Sequence, residues 1–234
     1  MNLGRVVALI QARMGSNRFP GKMLQKLGEY TLLEWVLVRV SQAKNIDQVV
    51  LATSEKALDN PLVEQAELLG VSVFRGSESD VLGRFANAAT HYHAETVLRI
   101  CADNPFVDPG ELERLIIEFK SQPCDYACNH QDRLGSSYAD GFGAEIFSND
   151  LLQKIAKISK DSRHREHVTL YIWDHAHRFQ LYCLQAPPEL AFPEMKFDVD
   201  THSDLIRLND LVSKGVKINS AAAKIIDHQK LLEN

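Results

Sequence analysis

Long apolar runs are missing from this 234-residue chain. No stretch approaches the ~20 consecutive apolar residues that a bilayer-spanning helix needs, so no membrane association is expected. The N-terminus has few apolar residues before Gln11 and no small-residue cleavage pattern, so no secretory signal is expected and the chain reads as cytoplasmic. Cysteine is sparse: Cys101, Cys124, Cys128 and Cys183 form no C-x-x-C pair, and in a reducing compartment they read as small buried hydrophobes. Internal repeats, low-complexity tracts and linkers are absent. The net charge of -5, with no extended basic face, disfavours nucleic acid as a partner. Acidic residues are themselves missing from one place. From Met1 to Gly28 the chain has five cations (Arg5, Arg13, Arg18, Lys22, Lys26) and no Asp or Glu. A local positive field in an acidic chain points to a dedicated anionic ligand.

What stands in that segment is a short apolar strand, Val6–Ile10, running into Gln11-Ala12-Arg13-Met14-Gly15-Ser16-Asn17-Arg18-Phe19-Pro20-Gly21-Lys22. Glycine lets backbone N–H groups approach a ligand without a Cβ in the way, and such groups form anion-binding concavities. Arg13 and Arg18 can fork onto phosphate oxygens, and Lys22 supplies a compact point charge. The loop is neither a Walker A loop nor a dinucleotide G-x-G-x-x-G.

Beyond it, apolar β-type runs alternate with amphipathic stretches. Val6–Ile10, Val49–Ala52, Val71–Phe74 and Val97–Cys101 are continuous rather than alternating, which predicts strands buried on both faces. Helices are expected over Leu32–Ala43, Pro61–Leu69, Val81–His91 and from Asp108-Pro109 through Phe119, with Gly70 closing the second. The second part changes character. Gln131–Gly143 is a polar loop, Ala144–Phe147 and Phe179–Leu184 are expected strands, and Asn149–Ile158, Glu166–Ala176, Leu205–Val212 and Ala221–Leu232 expected helices. This rhythm predicts an α/β fold with a mostly parallel central sheet and helices on both faces, in one domain.

Two acids stand out. Asp103 follows the strand Val97–Cys101, and open α/β sheets bind ligands at the carboxyl ends of their strands; an Asx-turn before Pro105 is the alternative. Asp200 lies in Asp198-Val199-Asp200-Thr201, where a helix N-cap is the alternative. His164 and His167 stand three apart on an expected helix, but no further soft ligands cluster nearby, so a zinc site is not expected.

The loop resembles the signature loop of the cytidylyltransferases that activate acidic sugars, which reads roughly Ala-Arg, then Ser-x-Arg, then Pro-Gly-Lys. Here these are Ala12-Arg13, Ser16-Asn17-Arg18 and Pro20-Gly21-Lys22. The likeness extends along nearly the whole chain and is most marked to the spore coat polysaccharide synthesis type. It covers Arg75-Gly76-Ser77 with Asp80-Val81-Leu82-Gly83-Arg84, Asp103-Asn104-Pro105, Asp140-Gly141-Phe142-Gly143-Ala144-Glu145, Arg165-Glu166-His167-Val168-Thr169 and Asp200-Thr201. After Thr201 the chain departs from the family's Pro-Glu, with His202 and Ser203 instead.

The resemblance implies a Rossmann-like nucleotidyltransferase fold, similar to that of GT-A glycosyltransferases, with residues 1–125 for the nucleotide and 126–200 for the acceptor. It implies CMP transfer from CTP to a sugar or acidic-sugar acceptor, with release of pyrophosphate, in surface polysaccharide precursor synthesis, by a homodimer. Asp103 and Asp200 would hold Mg2+, and with Arg13 and Lys22 they form the expected catalytic set. Gln11, Ala12, Arg13, Gly15, Ser16, Arg18, Lys22, Thr53, Arg75 and Ser77 are expected on the nucleotide side. Asp140, Glu145, Arg165 and His167 are expected on the acceptor side, with Glu166 alternatively capping a helix and His167 a candidate base. Two other readings carry weight: a metal-dependent glycosyltransferase using Asp198-Val199-Asp200, and a non-catalytic nucleotide-binding module.

Overall fold

The computed structural model describes residues 3–16 and 18–233; Asn17, in the middle of the Ser-x-Arg element, lies outside them. In chain order the elements are β1 (Val6–Gln11), β2 (Lys26–Leu27), β3 (Tyr30–Thr31), α1 (Leu32–Val40), β4 (Gln48–Ser54), α2 (Asn60–Leu68), β5 (Ser72–Gly76), α3 (Val81–His91), β6 (Thr96–Cys101), α4 (Pro109–Ser121), β7 (Tyr126–Cys128), β8 (Glu145–Ser148), α5 (Asn149–Ile158), α6 (Ser162–Glu166), α7 (Leu170–Asp174), β9 (Leu181–Cys183), α8 (His202–Ser213) and α9 (Ala222–Glu233). Single 3-10 turns lie at Lys22–Leu24 and Ala57–Asp59.

Seven strands form one sheet in the order β5-β4-β1-β6-β8-β7-β9, and only β8 runs against the others. Side chains alternate across a strand, and β1 shows how the sheet is covered. Val6, Ala8 and Ile10 enter a core with Leu33 and Leu37 of α1 and Leu112 and Leu115 of α4. Val7 and Leu9 enter a second core with Phe85 and Ala89 of α3 and Leu152 of α5. The apolar runs are continuous because both faces are packed.

Local chemistry sets the helix starts. Thr31 and Glu34 form a capping box on α1, Asp80 caps α3, and Asp108 caps α4 ahead of Pro109. Gly70 takes a left-handed conformation (φ +70°) just beyond α2.

Three expectations change. β5 is the sheet edge and only half-buried, because no strand pairs beyond it. The single helix expected over Glu166–Ala176 is broken: α6 ends at Glu166, His167 is extended, and α7 begins only at Leu170. Thr169 Oγ1 donates to buried Glu145 there (2.9 Å), and that tie competes with a continuous helix. Two elements were unanticipated: β7, and the β2–β3 hairpin whose turn places Gly28 at φ +64°.

Candidate functional site

β1 lies inside the sheet, between β4 and β6, so the loop after Gln11 emerges within the carboxyl edge of the parallel strands. The loop is tied down from within and from below. Ser16 and Gly21 N–H groups donate to Met14 O (2.9 and 3.0 Å), and Phe19 N donates to Ser16 Oγ (3.3 Å). Gly21 turns left-handed (φ +71°) to launch the turn that carries Lys22. Met14 N donates to Asp59 Oδ1 (2.7 Å), while the other oxygen of Asp59 accepts from Ser54 N (3.1 Å), Ser54 Oγ and Thr53 Oγ1 (3.1 Å). Buried Asp59 thus staples the loop to the end of β4. Gly15 passes close to Glu78: a Cβ there would lie 3.2 Å from its Oε1.

The loop's cations then turn to acids. Arg13 Nη2 pairs with Glu166 Oε1 (3.1 Å), and Nη1 lies 3.4 Å from Glu78 O. Arg18 Nη1 pairs with Asp200 Oδ2 (2.7 Å). Lys22 Nζ donates to Val199 O (2.7 Å) and faces Asp103 Oδ2 (3.4 Å) and Asp200 Oδ1 (3.5 Å). The two acids, 97 residues apart in sequence, are joined through the backbone, where Val199 N donates to Asp103 O (2.8 Å). Thr201 and Asp204 form a capping box, and Asp204 Oδ2 also accepts from Asp200 N (3.1 Å). The helix therefore starts correctly without the family's proline, and Asp204 has a structural role.

Arg13, Arg18, Lys22, Asp103 and Asp200 border a cleft of about 350 Å3, together with Gln11, Ala12, Ser16, Arg99, Cys101, Glu166 and His167. β6 contributes Arg99 and Cys101, which share one face of its pleat, and Asp103 follows in the turn just past its end. Arg99 is half of a buried pair whose register is set by the sheet, because it lies directly opposite Glu145 across β6 and β8. Glu145 also accepts from Tyr126 OH (2.6 Å) and Thr169 Oγ1 (2.9 Å), and His130 Nε2 lies 3.6 Å away. Burial alone would raise its pKa; Arg99, then His130 and Tyr126, outweigh that and hold the carboxyl well below its usual range. The second arm of Arg99 reaches Gln11 Oε1 only loosely, at 3.4 Å.

Other titrations follow burial. The Cys101 thiol is pushed up to about 12, which makes it a neutral wall of the cleft rather than a nucleophile. Asp140 is raised to about 6 by desolvation and then by the charges of Asp198 and Asp103, only partly offset by His130. Asp198 is raised by burial and by Asp200 and Asp103. Asp200 borders the cleft and Asp198 does not, so the two acids of the Asp-x-Asp are not presented together.

Of the expected site residues, Gln11, Ala12, Arg13, Ser16, Arg18, Lys22, Asp103, His167 and Asp200 converge on this cleft. Others lie elsewhere. Thr53 is fully buried against Asp59. Arg75 spends its guanidinium on Ser54 O, Lys56 O and Asn60 Oδ1. Ser77 Oγ accepts from Asp80 N (3.0 Å) beside a separate depression with Glu55 and Glu78. Arg165, expected to clamp the acceptor, instead pairs with Asp80 at the start of α3 and donates to Ala156 O at the end of α5. Glu145 faces Arg99 rather than open cleft. Asp140 sits among His130, Asp198 and Asp103 without bordering the cleft, its backbone bridged to Lys196. His164 turns inward to Asp174 (2.9 Å) while His167 faces the cleft. Arg99, Glu166 and Asp59 were missed; a charge in mid-strand, as at Arg99, was the available signal, since buried charges need partners.

A model of the cytidylyltransferase family matches residues 7–227. Spore coat polysaccharide biosynthesis protein SpsF of Bacillus subtilis is 35% identical over 227 residues, covering 94% of this chain and 92% of that protein. The 3-deoxy-manno-octulosonate cytidylyltransferase of Synechococcus elongatus is 32% identical over 120 residues, 50% of this chain and 48% of that one. The solved structure of a cytidylyltransferase from Leptospira borgpetersenii superposes with a TM-score of 0.88 at 30% identity, covering 98% of this chain and 94% of that one.

Proposed function

The chain belongs to the cytidylyltransferase family, and from that membership we propose that it transfers CMP from CTP to a hydroxyl of an acidic sugar, releasing pyrophosphate, in the synthesis of a surface polysaccharide precursor. The observation that carries this reading is the meeting of Lys22 with Asp103 and Asp200 under a loop bearing Arg13 and Arg18. In the transfer, the acceptor oxygen forms a bond to the α-phosphorus as the bond from that phosphorus to the bridging oxygen breaks, and the hydroxyl proton passes to His167 or water. Arg13, Arg18 and Lys22 hold the outer phosphates and neutralise the pyrophosphate as it leaves; such positioning and charge stabilisation supply most of the catalysis for chemistry of this kind.

Asp103 and Asp200 fit a magnesium site: two carboxylates converge on one cation position, and Mg2+ commonly takes one or two carboxylates plus substrate phosphates. When bound, the ion would neutralise charge on the triphosphate. Arg99, anchored by Glu145 at the cleft floor, replaces Arg165 in our reading as the group that meets the acceptor's anion. Arg99 apart, residues 1–125 then serve the nucleotide and 126–200 the acceptor. Among the described residues no helix is long and apolar enough to cross a membrane, which supports work in the cytoplasm, where we place it as a homodimer.

The test is a thermal-shift comparison of the four ribonucleoside triphosphates with magnesium. CTP should give the largest shift, and a ligand at a hundred times its dissociation constant stabilises by about 2.7 kcal/mol. A clearly larger shift with GTP or UTP removes the cytidylyl assignment.

A further inference from the structure

Both acids proposed for the metal are already engaged by cations of the chain. Lys22 Nζ lies 3.4 Å from Asp103 and 3.5 Å from Asp200, and its side chain is only 10% exposed. The other oxygen of Asp200 is held by Arg18 at 2.7 Å. A divalent ion on these carboxylates would sit within a few ångströms of an ammonium and a guanidinium, in a cleft where water screens such repulsion poorly.

The backbone segments that carry the two carboxylates are held independently of those cations. The Val199 N to Asp103 O bond (2.8 Å) joins the two segments, and Asp204 fixes Asp200's backbone. The cations ride on long flexible stems, and Arg18's side chain is 67% exposed, free to swing. The acids' backbone is fixed; Arg18 can leave freely, while Lys22 keeps its bond to Val199 O (2.7 Å) and needs only a turn of its terminal bonds to face a new anion.

We propose that Lys22 and Arg18 are resident counter-cations of the Asp103–Asp200 pair, and that metal and triphosphate therefore bind cooperatively. This rests on the reading of the site as one for CTP and a divalent metal. An arriving triphosphate draws Lys22 and Arg18 onto its outer oxygens, and the vacated carboxylates take the metal. No covalent step is involved; the two cations exchange one set of oxyanions for another. Coupling is reciprocal, so metal tightens the triphosphate by the same factor as triphosphate tightens metal. The device also keeps the metal site closed while no nucleotide is present.

The test uses Mn2+ alone, without nucleotide, because a triphosphate chelates the ion itself. Free Mn2+ is measured by electron paramagnetic resonance in titrations of the full chain. The wild type should bind Mn2+ weakly. Lys22→Gln is one bond shorter but retains an N–H donor on the side of Val199 O and removes the charge, and should bind Mn2+ at least tenfold more tightly; Arg18→Gln should give a smaller gain. Adding Asp103→Asn to Lys22→Gln should abolish the gain, which locates the ion on the acids. Circular dichroism of each variant confirms the fold. Mn2+ affinity in Lys22→Gln and Arg18→Gln no better than wild type overturns the proposal, as does a gain that survives Asp103→Asn. Thermal shifts with CTP and magnesium separate this from the functional reading: a CTP shift with no Mn2+ gain rejects the counter-cations alone, and no shift from CTP rejects the reading beneath them.

Discussion

A single buried carboxyl shows how the cleft's acidic side is balanced. Asp140 titrates near 6 because burial and the neighbouring Asp198 and Asp103 oppose its charge. The folded state therefore holds its proton more tightly than the unfolded chain does. Between the ordinary aspartate pKa and 6, more protons are bound folded than unfolded, so stability falls as pH rises through that window, and the whole penalty is present above it. Asp140 is partly exposed, so solvent reduces the effect to the order of 1–2 kcal/mol. Asp140→Asn should thus be more stable than wild type at pH 7.5 and level with it near pH 4. Urea denaturation at the two pH values measures this. An asparagine variant that is less stable at pH 7.5 would mean that Asp140's charge is compensated by a partner in solution. At this scale the sequence showed which residues carry chemistry but not where they point. Arg165, Glu166 and His167 are consecutive; the turn of α6 sends Arg165 to Asp80 and Glu166 to Arg13, while the extended His167 faces the cleft.

Elements position the loop through Asp59, which sits at the start of α2 and reaches both β4 and Met14. Its two oxygens accept four hydrogen bonds, three from the end of β4 and one from the loop. Asparagine offers one acceptor oxygen and places an N–H against a donor on the other side. Asp59→Asn should lose about 1–3 kcal/mol, the cost of leaving a buried donor unsatisfied. It should also weaken CTP binding several-fold, because Met14 N then no longer fixes the loop. Calorimetric titration with CTP alongside urea melts separates the two effects; stability loss with unchanged CTP affinity would leave Asp59 a purely local staple. The parallel strands and their helices were legible because their apolar runs are continuous and helix ends are marked, as at Asp108-Pro109 and Gly70. β7 was not, since Tyr126–Cys128 is only three residues and its pairing is decided by distant partners β8 and β9. The β2–β3 hairpin is equally short, two residues a side, and only Gly28 marked its turn.

Across the whole molecule, the first half of the sheet and the second meet at Arg99 and Glu145. β6 and β8 carry the pair, β7 supplies Tyr126, and the segment between α6 and α7 supplies Thr169. A buried ion pair of this kind is a poor source of stability, and hydrophobic residues of similar volume often replace it at no loss. Its place at the cleft floor, beside the loop after β1, fits the proposed role in binding. The two accounts separate in variants. Glu145→Gln alone leaves the Arg99 guanidinium buried without its counter-charge and should cost about 3 kcal/mol or more. Combining it with Arg99→Met removes the orphaned charge, so stability should return to within about 1 kcal/mol of wild type. If the pair serves only the fold, that double variant recovers turnover as well. If Arg99 meets the acceptor's anion, the double variant binds CTP normally, melts like wild type, and still shows pyrophosphate release with an acidic-sugar acceptor reduced at least tenfold. Full turnover in a restored fold would return Arg99 to the scaffold and leave the acceptor's anion to another cation of the cleft.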